Sequence, residues 1–222
     1  MTRIDRKHLE ADAVRNAMRA AGHGAMLMPD DALDASLKAT MARHPPDAPV
    51  WIFGYGSLIW NPMLRFAERR VARAFGVHRG FYLWSQVNRG TPETPGLVLG
   101  LDRGGQCGGV VYRLESVGLE DELRLLWRRE MVLGAYRPRW LEVRTDGGPV
   151  RAIAFVVDRR HPAYCGRLDD ERIVAVAMAA HGHYGACADY LLDTATALAQ
   201  HGIADRHLDR LAKRLHAVRE GR

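Results

Sequence analysis

The sequence predicts an α+β fold, a curled mixed sheet or small barrel with helices at both ends of the chain and one inserted among the strands. Three observations predict it. Short β-like runs separated by turn signals fill residues 50–158, helical patterns occupy both flanks, and the stretch near 120–132 switches to helical spacing.

Taken in order, residues 5–21 have helical composition, and Asp30-Asp31 opens a second helix running to about Arg43. Pro29 and the cluster His44-Pro45-Pro46-Asp47-Ala48-Pro49 punctuate its ends. The cluster reads as a linker, dividing a helical extension over 1–47 from a main domain over 48–222. The helices before it carry no residues that suggest chemistry. Strands are expected at 50–55, 71–78, 80–87, 97–101, 108–114, 139–145 and 150–158, with turns at Asp102-Arg103-Gly104-Gly105 and Asp146-Gly147-Gly148-Pro149. The inserted helix runs from Glu120 to about Val132 and places Leu123, Leu126, Trp127 and Met131 near helical spacing. Helices at Asp169–His181, Ala186–His201 and Asp205–Arg219 complete the chain, with Asp205 as the N-cap of the last.

Composition narrows the functional classes. With 222 residues and 47% hydrophobic content the chain can bury a substantial core. The net charge of +6 does not read as a nucleic-acid surface. Only Lys7, Lys38 and Lys213 of the 32 basic residues are lysines, and the arginines interleave with acids instead of clustering. Three cysteines, Cys107, Cys165 and Cys187, without metal-ligand spacing read as free thiols of a reducing cytoplasm. No leader-like segment and no run of eighteen apolar residues points to secretion or a membrane.

Four places can carry chemistry. The strand-like Trp51-Ile52-Phe53 runs into Gly54-Tyr55-Gly56-Ser57, poor strand material. Such a break is either a β-bulge at a barrel corner or a cradle whose backbone N–H groups hold a carboxylate or oxyanion. Glu130, beside Met131 and Val132, is either a desolvated general base or an ordinary glutamate paired with Arg128 or Arg129. Arg89, in the turn Asn88-Arg89-Gly90, is either solvated or a clamp for a substrate carboxylate. Tyr164, in His161-Pro162-Ala163-Tyr164-Cys165-Gly166, lids a pocket or packs. His181-Gly182-His183 with Cys187 has metal-ligand types but matches no zinc spacing, and its glycines suggest a helix–helix turn.

Five segments in this order resemble the ChaC-type γ-glutamylcyclotransferases: WIFGYGSLIWNP at 51–62, RGTPETPGLVLGLDRGG at 89–105, WRREMVLGAYRPRW at 127–140, HPAYCG at 161–166 and YLLDTATALAQHGIAD at 190–205. The resemblance implies a γ-glutamylcyclotransferase-like small mixed β-barrel with flanking helices. It also implies cleavage of glutathione to 5-oxoproline and cysteinylglycine without a cofactor or metal. It assigns the catalytic glutamate to Glu130, the substrate cradle to Tyr55, Gly56, Ser57 and Leu58, the arginine of the RG turn to Arg89, and a mobile-loop tyrosine to Tyr164. Two positions depart from the family pattern: Asn88 stands where relatives often carry histidine or tyrosine, and Cys187 where many have asparagine. The competing expectations are a cyclotransferase for other γ-glutamyl amines or dipeptides, and a non-catalytic cation-transport regulator on the same scaffold. Oligomeric state is not legible in the sequence.

Overall fold

The computed structural model describes residues 5–221. Five strands close into a barrel: β1 (Trp51–Gly54), β2 (Phe66–Ser85), β3 (Gly96–Leu114), β4 (Tyr136–Thr145) and β5 (Gly148–Val157). Their order is β1-β3-β2-β4-β5, and β1 pairs in parallel with β5 to close the ring. β1 is apolar throughout because both its faces are buried. Trp51 and Phe53 face the cluster beneath the C-terminal helices, whereas Ile52 faces the cluster beneath the inserted helix.

Two expectations about the sheet are corrected. The runs at 71–78 and 80–87 are one strand, β2, and those at 97–101 and 108–114 are likewise one strand, β3. Asp102–Gly105 is therefore not a turn between strands. It lies within β3, paired with Val77 and His78, where the register slips between Phe75 and Val77. Gly76, Gly104 and Gly105 all have positive φ, so the glycines that resemble a turn signal bend a continuous ribbon instead.

Helices cover the barrel on two sides. The inserted helix α5 (Leu119–Glu130) packs with α3 (Asp30–Met41) over Ile52, Ile153 and Phe155. On the other side lie α6 (Asp170–Ala179), α7 (Cys187–Gln200) and α8 (Arg206–Arg219). Asp205 does cap α8, accepting the Leu208 N–H at 2.9 Å. A two-stranded hairpin, β6 (His181–Gly182) and β7 (Gly185–Ala186), joins α6 to α7 where a plain turn was expected. A short helix, α4 (Ser57–Trp60), follows β1.

The expected helix over 5–21 is broken into α1 (Arg6–Glu10) and α2 (Ala13–Ala20) by Asp12, which adopts φ 52°. Both pieces are tied to the body. Arg6 donates two 2.8 Å bonds to the Glu122 carboxylate and a third at 3.0 Å to the Met63 carbonyl. Arg15, buried in α2, donates to Met28 O at 3.0 Å and Asp30 Oδ1 at 2.8 Å.

Candidate active site

The site is built where β1 runs out. A methyl group on Gly54 would stand 2.9 Å from Leu58 Cβ, so only glycine lets the chain fold back so closely. Gly56 adopts φ −137°, ψ −125°, and a Cβ there would meet the Tyr190 hydroxyl at 3.2 Å. The chain then turns into α4, whose first N–H groups, Ser57 and Leu58, have no partner within their own helix.

The peptide leading into this turn is held from behind. The Tyr55 hydroxyl donates to Phe155 O at 2.7 Å, and the Tyr55 carbonyl accepts from Arg79 Nη1 at 2.8 Å. Arg79 is itself buried and ion-paired with Asp205, the α8 cap. A trans peptide directs its N–H opposite its C=O, so pinning the Tyr55 carbonyl fixes the direction of the Gly56 N–H.

Glu130 arrives from the end of α5. It lies three residues after Trp127 and four after Leu126, both buried, so the helix carries it to the covered face. Its side chain is 14% exposed and pairs with Arg129 Nε at 3.0 Å. Burial raises its pKa above the usual glutamate value, and the Arg129 charge offsets only part of that rise. Arg129 also donates to Asn61 O at 2.6 Å, Pro62 O at 2.8 Å and Ser57 Oγ at 3.1 Å. One guanidinium thus joins the α4 turn to the carboxylate.

Arg89 enters from the β2–β3 connection. Its guanidinium lies over the rings of Trp60 and Tyr190, 5.8 and 5.3 Å from their centroids, and donates to Tyr184 O at 2.9 Å. The β6–β7 hairpin shapes that turn. His183 N donates to Val87 O at 2.8 Å and Tyr184 N to Asn88 O at 3.2 Å. A Cβ on Gly182 would lie 2.5 Å from the Arg89 nitrogen. The histidine-rich segment therefore braces Arg89, and Cys187 Sγ is engaged with the Leu97 backbone. Among the described residues no group of three His, Cys, Asp or Glu is placed to hold a metal ion.

Ser57, Arg89 and Glu130 line one cleft of about 170 Å³, room for a small organic molecule and not merely a single water. Arg129, Asn88, Tyr136 and Tyr190 line it with them. Burial pushes the Tyr190 hydroxyl up to about 12 and the Tyr136 hydroxyl well above its usual value, so both stay protonated. Tyr55 and Leu58 are buried behind the cleft wall, with the Leu58 carbonyl accepting from the Tyr112 hydroxyl at 2.8 Å. The structure does not bring Tyr164 to the others. Its hydroxyl donates to Asp102 at 3.0 Å, and its neighbour Ala163 lines the cleft.

Sequence reasoning missed Arg79 and Tyr190 and saw Arg129 only as an ion-pair partner. Helical spacing could have singled out Arg129, since it precedes Glu130 on the same covered end. Nothing local marks Arg79, whose partners lie 24 and 126 residues away.

A family model described as ChaC-like protein matches residues 50–219. A glutathione-specific γ-glutamylcyclotransferase of Escherichia coli is 45% identical over 178 residues, covering 80% of this chain and 77% of that protein. A mouse glutathione-specific γ-glutamylcyclotransferase 1 is 34% identical, covering 72% of this chain and 75% of its own. Among solved structures, a yeast γ-glutamylcyclotransferase specific to glutathione superposes with a TM-score of 0.71 at 22% identity, over 77% of this chain and 96% of that one. That last likeness speaks for the fold.

Proposed function

Because the chain belongs to the ChaC-like protein family, we infer that it is a glutathione-specific γ-glutamylcyclotransferase, converting glutathione to 5-oxoproline and cysteinylglycine. The observation that carries this reading is a buried carboxylate with a raised pKa, Glu130, sharing a cleft with Ser57 and Arg89. A binding module has no need of such a base.

The reaction needs no nucleophile from the protein. The substrate's α-amino nitrogen attacks its own γ-carbonyl carbon, the new C–N bond closes a five-membered lactam, and the amide bond to cysteinylglycine breaks. Holding the chain curled supplies most of the acceleration, since well-oriented intramolecular reactions reach effective molarities on the order of 10⁵ M or more.

Proton movement is the task of Glu130. An α-ammonium has a pKa of about 8 and must lose a proton before it attacks, which a glutamate at its ordinary value of 4.5 accepts poorly. Burial narrows that gap. Glu130 relays the two protons that the attacking nitrogen sheds, one before attack and one as the lactam closes, to the departing amide nitrogen. That nitrogen leaves as an ammonium, so the carboxylate ends as it began. The Gly56, Ser57 and Leu58 N–H groups face the negative charge of the substrate, on the γ-oxyanion or the α-carboxylate. Their orientation is supported by the hold of Arg79 on the Tyr55 carbonyl. Arg89 binds a substrate carboxylate, and its seat on two aromatic rings limits how far it can swing. Tyr164 acts at the cleft mouth only if its loop moves from Asp102.

No helix among the described residues is long and apolar enough to cross a membrane. Free thiols at Cys107, Cys165 and Cys187 and a thiol substrate together support work in the cytoplasm. The test is to incubate the purified protein with glutathione, γ-glutamylcysteine, γ-glutamylalanine and oxidised glutathione and to measure 5-oxoproline. Release from glutathione above the others is expected. No release from any of them overturns the reading.

A further inference from the structure

The cleft has a wall that lies outside residues 50–219, the part matched by the family model. Leu9 of α1 and Val14 and Met18 of α2 line it together with Glu130 and Arg89. Val14 and Met18 pack in one apolar cluster with Val132 and Tyr184. Val132 lies two residues beyond Glu130, and Tyr184 supplies the carbonyl that holds Arg89. The helices expected to carry no chemistry thus lean on the supports of both polar groups.

The wall is fixed in place. Arg6 clamps α1 to Glu122 on α5, the helix that ends in Glu130. Arg15 anchors α2 to Met28 O and Asp30, and Met28 N donates to Val132 O at 2.8 Å. These ties make α1 and α2 a rigid side of the cleft. The wall is also chemically one-sided. The polar groups that suit a glutamyl moiety come from Ser57, Arg89, Arg129 and Glu130, whereas the three lining residues from α1 and α2 are aliphatic.

We propose that α1 and α2 bound the leaving-group side of the cleft, and that Met18 and Val14 set how bulky the amine half of a γ-glutamyl substrate can be. This rests on the cyclotransferase reading above. The aliphatic wall meets the thiol-bearing methylene of the cysteinyl residue, the least polar part of that half. Met18 is 1% exposed and Val14 6%, so shortening either side chain opens space continuous with the cleft.

The test is a size series on the full chain: glutathione, S-methylglutathione and S-benzylglutathione, with kcat/KM followed by 5-oxoproline release. Variants Met18→Ala and Val14→Ala are compared with Met18→Leu, which keeps the volume. A methylene of pocket space discriminates by roughly 10–200-fold, so each alanine variant is expected to raise the ratio of S-benzylglutathione to glutathione about tenfold or more, while Met18→Leu leaves it near that of the wild type. Val14→Ala carries the test alone if Met18→Ala does not fold, and Val14→Ile, which narrows the cleft, is expected to lower the ratio. Ratios that stay within about twofold of wild type in every folded variant overturn the wall. A wild-type protein that releases no 5-oxoproline from any of the three overturns the cyclotransferase reading instead.

Discussion

Two arginine–carboxylate pairs flank the glycine-rich turn, and they are tuned in opposite directions. Burial pushes Asp205 up, but the Arg79 charge, the Leu208 N–H and the Arg79 hydrogen bonds outweigh it and hold the carboxyl below its usual value. Burial pushes Glu130 up as well, and there Arg129 does not win. The difference lies in how each guanidinium spends its donors. Arg79 directs Nε and Nη2 to Asp205. Arg129 gives Glu130 a single contact from Nε and directs its other groups to Asn61, Pro62 and Ser57. A carboxylate supplied with every partner is a structural anchor. One left short of partners in a dry place can still accept a proton.

The largest expected effect separates the pairs outright. Glu130→Gln keeps the shape and removes the base, and general-base catalysis contributes roughly 10²–10⁴-fold, so kcat on glutathione should fall about a thousandfold. Wild-type turnover by a purified, folded Glu130→Gln protein breaks the comparison at its centre. Asp205→Asn retains a good N-cap but leaves the Arg79 charge buried without its counter-charge, a change expected to cost about 3 kcal/mol of stability in a denaturant titration. A stability unchanged in Asp205→Asn means the second pair is no anchor.

Gly56→Ala probes what the anchor holds in place. The added methyl meets the Tyr190 hydroxyl at 3.2 Å, so that hydroxyl or the turn must shift. Turnover is expected to drop about thirtyfold, somewhat less than the roughly 10²–10³-fold that follows outright loss of an oxyanion donor. The fold should persist by circular dichroism, whereas an unfolded variant returns the turn to a purely structural β-bulge.

The smallest effect is in the pH dependence of stability, where the two pairs have opposite signs. Asp205 has a lowered folded pKa, so its contribution is present above its unfolded value of 3.8 and is lost as pH falls from there through the folded pKa. Glu130 has a raised folded pKa, so its contribution is present below the unfolded 4.5 and is lost as pH rises through the folded pKa. Relative to wild type, Glu130→Gln should gain stability as pH climbs above 4.5 through the raised folded pKa. Asp205→Asn should lose its deficit as the pH is taken below 3.8. Parallel curves for the two variants would mean that both carboxylates sit in equivalent environments.

Residues 50–158 show how far local pattern reaches. The strands β1, β4 and β5 are readable as short apolar or alternating runs because one pleat face or both are buried, and the covered face of α5 is readable from Leu123, Leu126 and Trp127. The continuity of β2 and β3 is not readable. Gly76, Gly104 and Gly105 take positive φ in a bulge as readily as in a turn, and only the opposing strand decides which. α4 was missed for a related reason: four residues between a strand and a loop carry too little period to register.

By itself the sequence determined the class of fold, the place of Glu130 at the end of the inserted helix, the glycines that permit the turn after β1, and the family. These depend on residues close together in the chain, where periodicity and backbone freedom act. Tertiary structure decided which of two adjacent arginines faces Glu130, that Arg79 reaches from β2 to both Tyr55 and Asp205, that Tyr164 rests on Asp102, and that α1 and α2 wall the cleft. Each of those is a contact between distant segments. The balance of burial against neighbouring charge that raises the pKa of one carboxylate and lowers that of the other exists only after the barrel has closed around them.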